Sequence, residues 1–386
     1  MRNRLFWPWF LPVVLVFLLP PRAGSAPFDI HTPSAGSGKS PTGRSQLRAL
    51  ADFEPADGVL LAWDDDLADV VAGIARVTAE TATPFLLVED ADERSYVETY
   101  LEGSDVDLAR VRFIELEYDS AWTRDYGPAP VVRHDGSVAF VDSRYMEDRP
   151  LDERIPTELG EALEVEVLQS DIELPGGNFI TNGAGLCLLT DQIEEDNPEF
   201  EDHELAFHLW RSFGCESIAI VERLIGEDTG HVDMFAAFTG PDTVLVGEYD
   251  LAADPENAEV LERNAGFLED LTLRSGRRLS VIRIPMPSNH DEIFRSYTNS
   301  LIVNGTVVMP IYTDAREQEQ AALEAYARAL PVGFRIVTVD AGAAIALGGA
   351  LHCLARTFTH QPTRIEAMLR ELRADIEAIA PLFVLR

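Results

Sequence analysis

The stretch WTRDYGPAPVVRHDGSVAFVD, residues 122–142, joins a compact polar motif to two short apolar runs. The runs meet at Asp135-Gly136, and an Asx-Gly pair between apolar runs is the strongest short-range signal for a β-hairpin. Valine and phenylalanine within the runs also favour strands. The stretch therefore predicts a polar loop that leads directly into a hairpin.

The same combination recurs along the chain. Three further polar motifs precede predicted hairpins and a fifth follows a glycine- and alanine-rich segment; they are PGGNF (175–179), GHVDMF (230–235), YTNSL (297–301) and LHCL (351–354). The turns of the three further hairpins are Asn182-Gly183, TGPD at 239–242, and Asn304-Gly305.

The five motifs are spaced at similar intervals. Their marker residues are Asp125, Asn178, His231, Asn299 and Cys353, and the steps between them are 53, 53, 68 and 54 residues. Similar spacing of this size indicates repeated supersecondary units, arranged radially or in an array. In a radial arrangement the five motifs would converge on one site.

Segments with apolar residues at helical spacing alternate with the hairpins. They cover residues 66–81, 203–213, 321–330 and 363–380. Alternating helices and strands are typical of an α/β fold. We therefore predict a single catalytic α/β domain over residues 51–386.

The N-terminal 50 residues differ in composition from this domain. Residues 1–26 contain two arginines, an apolar run and then small residues, which is the layout of a secretory signal peptide cleaved after Ser25 or Ala26. An uncleaved membrane anchor is the alternative, but the apolar run is short and interrupted by proline. Residues 27–50 are polar and rich in Pro, Gly and Ser, which predicts a flexible linker. The mature protein is expected to be periplasmic or extracellular, without stable membrane insertion.

The charge balance limits the classes of partner. The chain has 31 Lys and Arg against 66 Asp and Glu, a net charge of −35. Such a chain repels nucleic acid and anionic membranes and attracts cations, including guanidinium and amine substrates. A surface adapted to solubility or salt is the alternative explanation.

Three cysteines leave at least one thiol unpaired in an oxidising compartment. Cys187 lies in an apolar strand and Cys215 at a helix-to-strand turn; whether these two are bonded stays open at this stage. Cys353 is the expected free thiol.

Cys353 is the candidate nucleophile, because Gly348, Gly349 and Ala350 leave space for a substrate beside its sulfur. A purely structural cysteine is the alternative. If the segment is extended, the adjacent His352 points to the opposite side. His231 is therefore the better candidate for the general base, with Asp233 two residues along on the same face.

Asp125 and Asp233 form a second candidate feature. Two carboxylates facing one pocket suit a planar cation with several N–H donors, such as guanidinium. The alternative for Asp125 is an ion pair with the neighbouring Arg124. Asn299 is expected to bond backbone near the site, and Gly176-Gly177-Asn178 to form a tight turn.

The ordered blocks WTRDYGP, PGGNF, GHVDMF, SYTNSL and GGALHCLA resemble the signature blocks of the bacterial, Porphyromonas-type peptidylarginine deiminase and agmatine deiminase family. The resemblance covers residues 50–386 and implies a five-bladed, pseudo-symmetric α/β propeller, the pentein fold. It also implies Cys353 as nucleophile, His231 as general acid and base, and Asp125 and Asp233 as guanidinium clamps. Trp122 would line the entrance, and the resemblance implies no metal and no organic cofactor.

The resemblance leaves the substrate divided between arginine, free or in peptides, and agmatine. Agmatine deiminases usually carry Glu-Gly-Gly where this chain has Pro175-Gly176-Gly177. The signal peptide and PGGN resemble the secreted peptidylarginine deiminases, which grip a terminal carboxylate with an Arg-Pro-Arg segment. Here Arg149 is present, but Leu151 replaces the second arginine. We expect conversion of peptidyl or free arginine to citrulline and ammonia through a covalent thiouronium, with agmatine deimination as the alternative.

Other classes of function are also compatible with these residue types. Cys353, His231, Asp125 and Asp233 could ligate a divalent metal in a hydrolase or a metal-binding protein, although their spacing matches no strong zinc signature. An amidinotransferase would pass the amidino group to an amine. An acidic exported protein that only captures cationic peptides is a further possibility.

Overall fold

The computed structural model describes residues 28–31, 45–146 and 148–360. The predicted signal peptide (1–26) and the predicted helix at 363–380 lie outside the described residues. No helix in the described ranges is both long and apolar enough to span a bilayer.

The described chain alternates strands and helices. The strands are β1 Phe28–His31, β2 Leu47–Ala49, β3 Gly58–Ala62, β4 Thr83–Val88, β5 Arg112–Glu115, β6 Ala129–Arg133, β7 Val138–Arg144, β8 Glu166–Glu173, β9 Ile180–Thr181, β10 Leu186–Thr190, β11 Ser217–Val221, β12 Ala236–Gly240, β13 Thr243–Glu248, β14 Ser280–Pro285, β15 Leu301–Val303, β16 Thr306–Ile311, β17 Arg335–Asp340 and β18 Arg356–Phe358. The helices are α1 Ala68–Thr78, α2 Ala91–Gly103, α3 Thr123–Tyr126, α4 Ile155–Leu163, α5 Gln192–Asp196, α6 Asp202–Phe213, α7 Pro255–Asp270, α8 Glu319–Ala329 and α9 Gly342–Ile345.

These strands form five small sheets in the described part of the chain. Their strand orders are β2-β6-β7-β8, β1-β11-β10-β9, β12-β13-β14, β15-β16-β17 and β18-β3-β4-β5. Each sheet contains the same three-strand pattern, in which the first strand is antiparallel to the second and the third is parallel to the second. The chain is therefore a mixed α/β fold with a repeated sheet motif.

The parallel third strand of each sheet requires a crossover, which a helix supplies. α1, α4, α6, α7 and α8 lie in these crossovers. The helices predicted at 66–81, 203–213 and 321–330 are confirmed as α1, α6 and α8. α6 shows the local cause clearly: Glu201 and Glu204 form a capping box at its start, and Gly214 in the left-handed region ends it.

The Asx-Gly pairs form the predicted hairpin turns. Asn304 and Gly305 have φ values of 45° and 79°, the positive pair that a tight two-residue turn between β15 and β16 requires. The Asn304 side chain also accepts the Ala56 N–H at 3.0 Å and donates to the Thr81 carbonyl at 2.9 Å. One turn residue thus shapes its own hairpin and contacts the sheet that contains β3.

The two ends of the described chain are incorporated into sheets. β18 pairs antiparallel with β3, so one sheet combines residues from both ends. β1 pairs with β11, and β2 pairs with β6. These two strands lie within the segment 27–50, so that part of the expected linker is built into sheets instead. Short edge strands are stabilised by pairing partners elsewhere in the chain, which the local polar composition does not reveal.

Cys187 on β10 and Cys215 just before β11 form a disulfide. Both cysteines are buried in the cluster that packs α6 against the sheet. The pairing that the sequence leaves open is therefore present, and Cys353 is the free cysteine among the described residues.

Candidate active site

Each of the five polar motifs lies just before the first strand of the three-strand pattern in its sheet. α3, the 3₁₀ turn Gly176–Asn178 and the 3₁₀ turn Val232–Met234 carry three of them. The bend at 297–299 and the turn at 351–354 carry the other two. Each motif therefore occupies the same position in its repeat, and contacts join several of them, such as Asp125 with Gly177 and Asn299 with Cys353.

Cys353 is 4% exposed, and its sulfur has two polar neighbours. Asn299 Nδ2 lies 3.1 Å from Sγ, and Asp233 Oδ2 lies 3.7 Å from it. A Cβ atom on Gly349 would stand 2.7 Å from the Trp122 ring and 3.0 Å from Sγ. Glycine at 349 therefore keeps the space between the indole and the thiol open, and Trp122 borders this space.

Asn299 fixes the backbone that carries the thiol. Its Oδ1 accepts the N–H groups of Ala350, His352 and Cys353 at 3.2, 3.0 and 3.3 Å. One fully buried amide therefore holds the turn in place and donates to the sulfur with its nitrogen. Asn299 bonds the backbone beside the thiol, as its sequence context predicts.

Asp125 and His231 lie together on the other side of the site. His231 Nδ1 is 3.5 Å from Asp125 Oδ1 and has no hydrogen-bond partner in the described part of the protein. Asp125 Oδ1 accepts the Gly177 N–H at 2.9 Å. A Cβ on Gly177 would lie 2.5 Å from His231 Nδ1 and 2.7 Å from Asp125 Oδ1, so the Gly-Gly turn permits this close approach.

One pairing expected from the sequence is wrong, and one that was the alternative for Asp125 is not observed. Asp233 is not the carboxylate beside His231, because residues 232–234 form a 3₁₀ turn and not an extended strand. Arg124 does not pair with Asp125; its Nη2 contacts Asp52 at 3.0 Å, while Asp125 faces Gly177. Sequence proximity identified these residues but not their partners.

His352 contacts Asp233 instead. Its Nδ1 lies 2.7 Å from Asp233 Oδ2, and its Nε2 lies 3.2 Å from Asp52 Oδ2. The expectation that His352 and Cys353 face opposite sides is wrong, because 351–354 is a turn in which both side chains reach the same Asp233 oxygen. Asp233 Oδ1 is buried without a hydrogen-bond partner among the described residues.

Burial and the local charges raise two pKa values at the site. Burial, together with the charges of Asp233 and Asp125, raises the pKa of the Cys353 thiol well above its ordinary value. Burial also raises the pKa of Asp125, with the Asp233 charge adding to the effect and His231 opposing it. Both shifts follow from placing acidic groups close together in a buried site. A bound cation would stabilise the ionised forms of these groups.

Arg149 is not part of this cluster. Its Nη1 donates to Tyr145 Oη at 3.1 Å and to Ser120 Oγ at 3.3 Å, and its guanidinium lies 6.0 Å from the Tyr145 ring centre. The structure therefore places Arg149 between Tyr145 in its own loop and Ser120 just before the WTRDYGP motif, and its hydrogen bonds do not reach Cys353, Asp125 or Asp233.

Two residues of the site have contacts that the local sequence does not indicate. Asp52 follows the predicted linker, and nothing in its local sequence indicates a contact 300 residues away. His352 lies in a turn, which places its side chain on the same side as Cys353, whereas an extended segment would place it on the opposite side. Among the described residues, no group of three or more His, Cys, Asp and Glu side chains is arranged to hold a metal ion.

Comparison with known proteins agrees with this geometry. The family model of the Porphyromonas-type peptidyl-arginine deiminases matches residues 48–359. A Streptomyces coelicolor protein provisionally named agmatine deiminase is 30% identical over 334 residues, covering 79% of this chain and 91% of that protein. A similarly named Legionella pneumophila protein is 27% identical over 299 residues, covering 73% of this chain and 83% of that one.

A solved structure shares the fold. The agmatine deiminase of Enterococcus faecalis superposes with a TM-score of 0.73 at 21% identity, covering 84% of this chain and 99% of that chain. The family model spans most of the 386 residues. The chain therefore belongs to the Porphyromonas-type peptidyl-arginine deiminase family, hydrolases that act on the C–N bonds of guanidino groups.

Proposed function

We propose that this protein hydrolyses a small guanidino compound to a ureido product and ammonia, with agmatine as the first candidate substrate. The observation that carries the proposal is the meeting of one thiol and two carboxylates around an enclosed space. Asp233 Oδ2 lies 3.7 Å from the Cys353 sulfur, and its Oδ1 has no partner within the described chain. Asp125, beside His231, is close enough for its charge to shift the pKa of the thiol.

The proposed first step forms a covalent intermediate. Asp125 and Asp233 accept N–H groups of the planar cation and leave its central carbon facing Cys353 Sγ. The sulfur attacks that carbon, and the thiol proton is transferred to the departing nitrogen through His231. The C–N bond breaks, ammonia leaves, and a thiouronium cation remains on the cysteine.

The second step releases the product. His231 removes a proton from a water molecule, whose oxygen attacks the thiouronium carbon. The C–S bond breaks, the sulfur regains a proton, and the water oxygen remains as the carbonyl of the ureido product. The ammonia released earlier takes up the remaining proton.

The choice of agmatine rests on charge. Agmatine carries two positive groups and no carboxylate, which suits a chain with a net charge of −35. Arg149, the group expected to grip a carboxylate, is hydrogen-bonded to Ser120 and Tyr145, and Leu151 occupies the position of the second arginine. The relatives named agmatine deiminases support the same choice. Agmatine would yield N-carbamoylputrescine.

Arginine, free or in peptides, is the second candidate. The matching family model is named for peptidyl-arginine deiminases, and within the described residues Arg149 bonds Ser120 and Tyr145 through Nη1. A substrate carboxylate could reach the other guanidinium nitrogens if the loop moved. Citrulline would then be the product.

We further propose that the five sheets are blades of a pseudo-symmetric α/β propeller with the site at its centre. The repeated strand pattern and the position of every polar motif before a first strand support this arrangement.

We also propose export of the mature protein. The signal-peptide pattern at 1–26 and the Cys187–Cys215 disulfide support an oxidising compartment.

A substrate panel tests the proposed function. Purified protein would be incubated with agmatine, arginine and arginine peptides, and ureido product and ammonia would be measured with and without a chelator. We expect N-carbamoylputrescine from agmatine at the highest kcat/KM, unaffected by the chelator. Citrulline as the main product would move the assignment to arginine.

Two variants separate the chemistry from the fold. Cys353→Ser should abolish turnover while leaving the thermal unfolding midpoint within a few degrees of wild type. Cys187→Ala/Cys215→Ala should retain turnover at permissive temperature, because that pair lies in the core and not in the site. Activity that survives Cys353→Ser but disappears with the chelator would refute the covalent mechanism.

A further inference from the structure

His352 is a buried imidazole with a carboxylate at each ring nitrogen. Nδ1 is 2.7 Å from Asp233 Oδ2, and Nε2 is 3.2 Å from Asp52 Oδ2. The histidine side chain is 5% exposed and that of Asp233 is 1% exposed. The three side chains therefore form a continuous carboxylate–imidazole–carboxylate chain that ends beside the Cys353 sulfur.

This geometry determines the charge of the ring. A neutral imidazole has one N–H and one lone pair, so one of its nitrogens would present a lone pair to a carboxylate oxygen. Only the imidazolium donates at both nitrogens. Such a ring would donate one hydrogen bond to each of the two carboxylates.

Asp52 is itself held firmly. Its Oδ1 accepts from Arg124 Nη2 at 3.0 Å and from Thr357 Oγ1 at 2.9 Å. Burial alone would raise the pKa of Asp52, but the charges of Arg124 and His352 outweigh it and hold that pKa well below its usual value. Asp52 is therefore an ionised anchor at the end of the carboxylate–imidazole–carboxylate series that lies away from Cys353.

The inner end of the chain leaves one Asp233 oxygen available. Oδ2 is occupied by His352 Nδ1 and is also the oxygen nearest to Cys353 Sγ, at 3.7 Å. Oδ1 is buried and has no hydrogen-bond partner among the described residues. A buried carboxylate oxygen without a donor is costly unless a ligand supplies one.

We propose that His352, as an imidazolium anchored by Asp52, is a positioning residue that fixes Asp233 so that its Oδ1 receives a substrate N–H. This inference rests on the proposed function, in which Asp233 holds the guanidinium. Without His352, the Asp233 carboxylate is free to rotate and to turn either oxygen toward the thiol. Substrate binding then loses a preorganised acceptor.

Two substitutions at position 352 separate positioning from packing. His352→Asn retains a donor near the place of Nδ1 but loses the charge and the contact to Asp52. His352→Leu fills similar space and loses both contacts. We expect KM for the guanidino substrate to rise at least about tenfold in His352→Leu, the effect of losing one charge-assisted hydrogen bond. His352→Asn should recover a substantial part of that loss.

His360 provides the matched control. Its Nδ1 lies 2.9 Å from Asp57 Oδ1 in a second, partly buried histidine–carboxylate pair outside the site. His360→Leu should lower the thermal unfolding midpoint without changing KM. Equal KM values in wild type, His352→Leu and His360→Leu would overturn the proposal, as would equal KM increases in His352→Asn and His352→Leu.

A spectroscopic measurement tests the charge state without any turnover. In protein with ¹⁵N-labelled histidine, assigned through His352→Asn, we expect both ring nitrogens of His352 to carry protons at neutral pH. Asp52→Asn should remove one of these protons. A neutral His352 ring in the wild-type protein would refute the imidazolium, whether or not any guanidino compound is turned over. Loss of the proposed function would instead appear as an inactive wild-type protein with the two-proton signature intact.

Discussion

At the scale of single residues, the Cys353 thiol lies in surroundings that oppose its ionisation. Burial is the largest cause, and the negative charges of Asp233 and Asp125 act in the same direction. The thiolate, not the thiol, is the nucleophile. The raised pKa favours the protonated thiol near neutral pH. In the proposed function, the positive charge of the substrate compensates the two carboxylates.

Alkylation by iodoacetamide tests this raised pKa. Cys187 and Cys215 are bonded to each other, so the reaction reports Cys353. We expect the alkylation rate of the free enzyme to keep rising with pH beyond about 8.5, the ordinary cysteine value. Asp233→Asn should shift the midpoint to lower pH, because it removes a negative charge. A wild-type midpoint at or below the ordinary value would contradict the environment described here.

Asp125→Asn tests whether this carboxylate serves the substrate or the fold. The folded-state pKa of Asp125 is raised, so its charge destabilises the fold as pH rises from about 3.9, the unfolded value, through the raised folded value. At neutral pH the wild-type protein bears that full cost and the variant does not. We expect kcat/KM to fall at least about 100-fold while the unfolding midpoint stays equal or rises.

Asp142 is the comparison for this substitution. It is also buried with a raised pKa, but its carboxylate bonds Thr157 and Gln169 away from the site. Asp142→Asn should leave kcat/KM within about twofold of wild type. If Asp125→Asn lowered the unfolding midpoint by many degrees, the carboxylate would be structural.

At the scale of elements, the turn Gly176–Asn178 decides how closely Asp125 and His231 approach. A methyl group at 177 would lie 2.5 Å from His231 Nδ1 and 2.7 Å from Asp125 Oδ1. Gly177→Ala must therefore displace one of these two side chains. We expect kcat/KM to fall about 100-fold, because displacements of about 1 Å at reacting groups have effects of this size.

Gly266→Ala is the matched control for the turn. Gly266 lies within α7, and no heavy atom outside its own helix is within 4 Å of the added methyl group. This substitution should stabilise the protein by about 0.5–1 kcal/mol, the helix propensity difference, without affecting activity. Similar kinetics in both alanine variants would show that the turn does not control the site.

The same scale separates what the sequence could predict from what it could not. The hairpins followed from Asx-Gly pairs and α1, α6 and α8 from apolar periodicity, because both signals are local. β1 and β2 did not follow, because an edge strand of three or four residues depends on a partner elsewhere in the chain. The same distinction applies to the site. The chemistry and spacing of the motifs are local signals, and they identify the candidate residues Cys353, His231, Asp125 and Asp233. The contact of His352 with Asp52 could not be predicted, because 300 residues separate them.

At the scale of the whole molecule, β18, near the C-terminal end of the described residues, shares a sheet with β3 from the N-terminal part of the chain. β18 pairs with β3, and Asp52 reaches His352 and Thr357 across the same junction. Cys353 lies only three residues before β18. The position of the thiol therefore depends on the pairing of β18 with β3.

Phe358 is the apolar component of this pairing. Its ring is buried, with the Phe85 ring centre at 5.1 Å on β4 of the same sheet and the Phe140 ring centre at 5.7 Å on β7 of a different sheet. Gly58 leaves room for the ring, since a Cβ there would lie 2.3 Å from it. The Phe358 side chain thus packs β18 and β3 against a second sheet.

Phe358→Ala should therefore weaken the fold and, through it, the site. We expect the free energy of unfolding to fall by about 3–5 kcal/mol, from denaturant titration, since a large buried aromatic is removed. Phe207→Ala on α6, where the ring is 45% exposed, should change it by less than about 1 kcal/mol. If the pairing of β18 with β3 positions the thiol, Phe358→Ala should also lose activity at a lower denaturant concentration than its global unfolding midpoint. The reason is that β18 adjoins the turn that carries Cys353. Activity and global structure lost together in both proteins would show instead that the junction unfolds only with the whole domain.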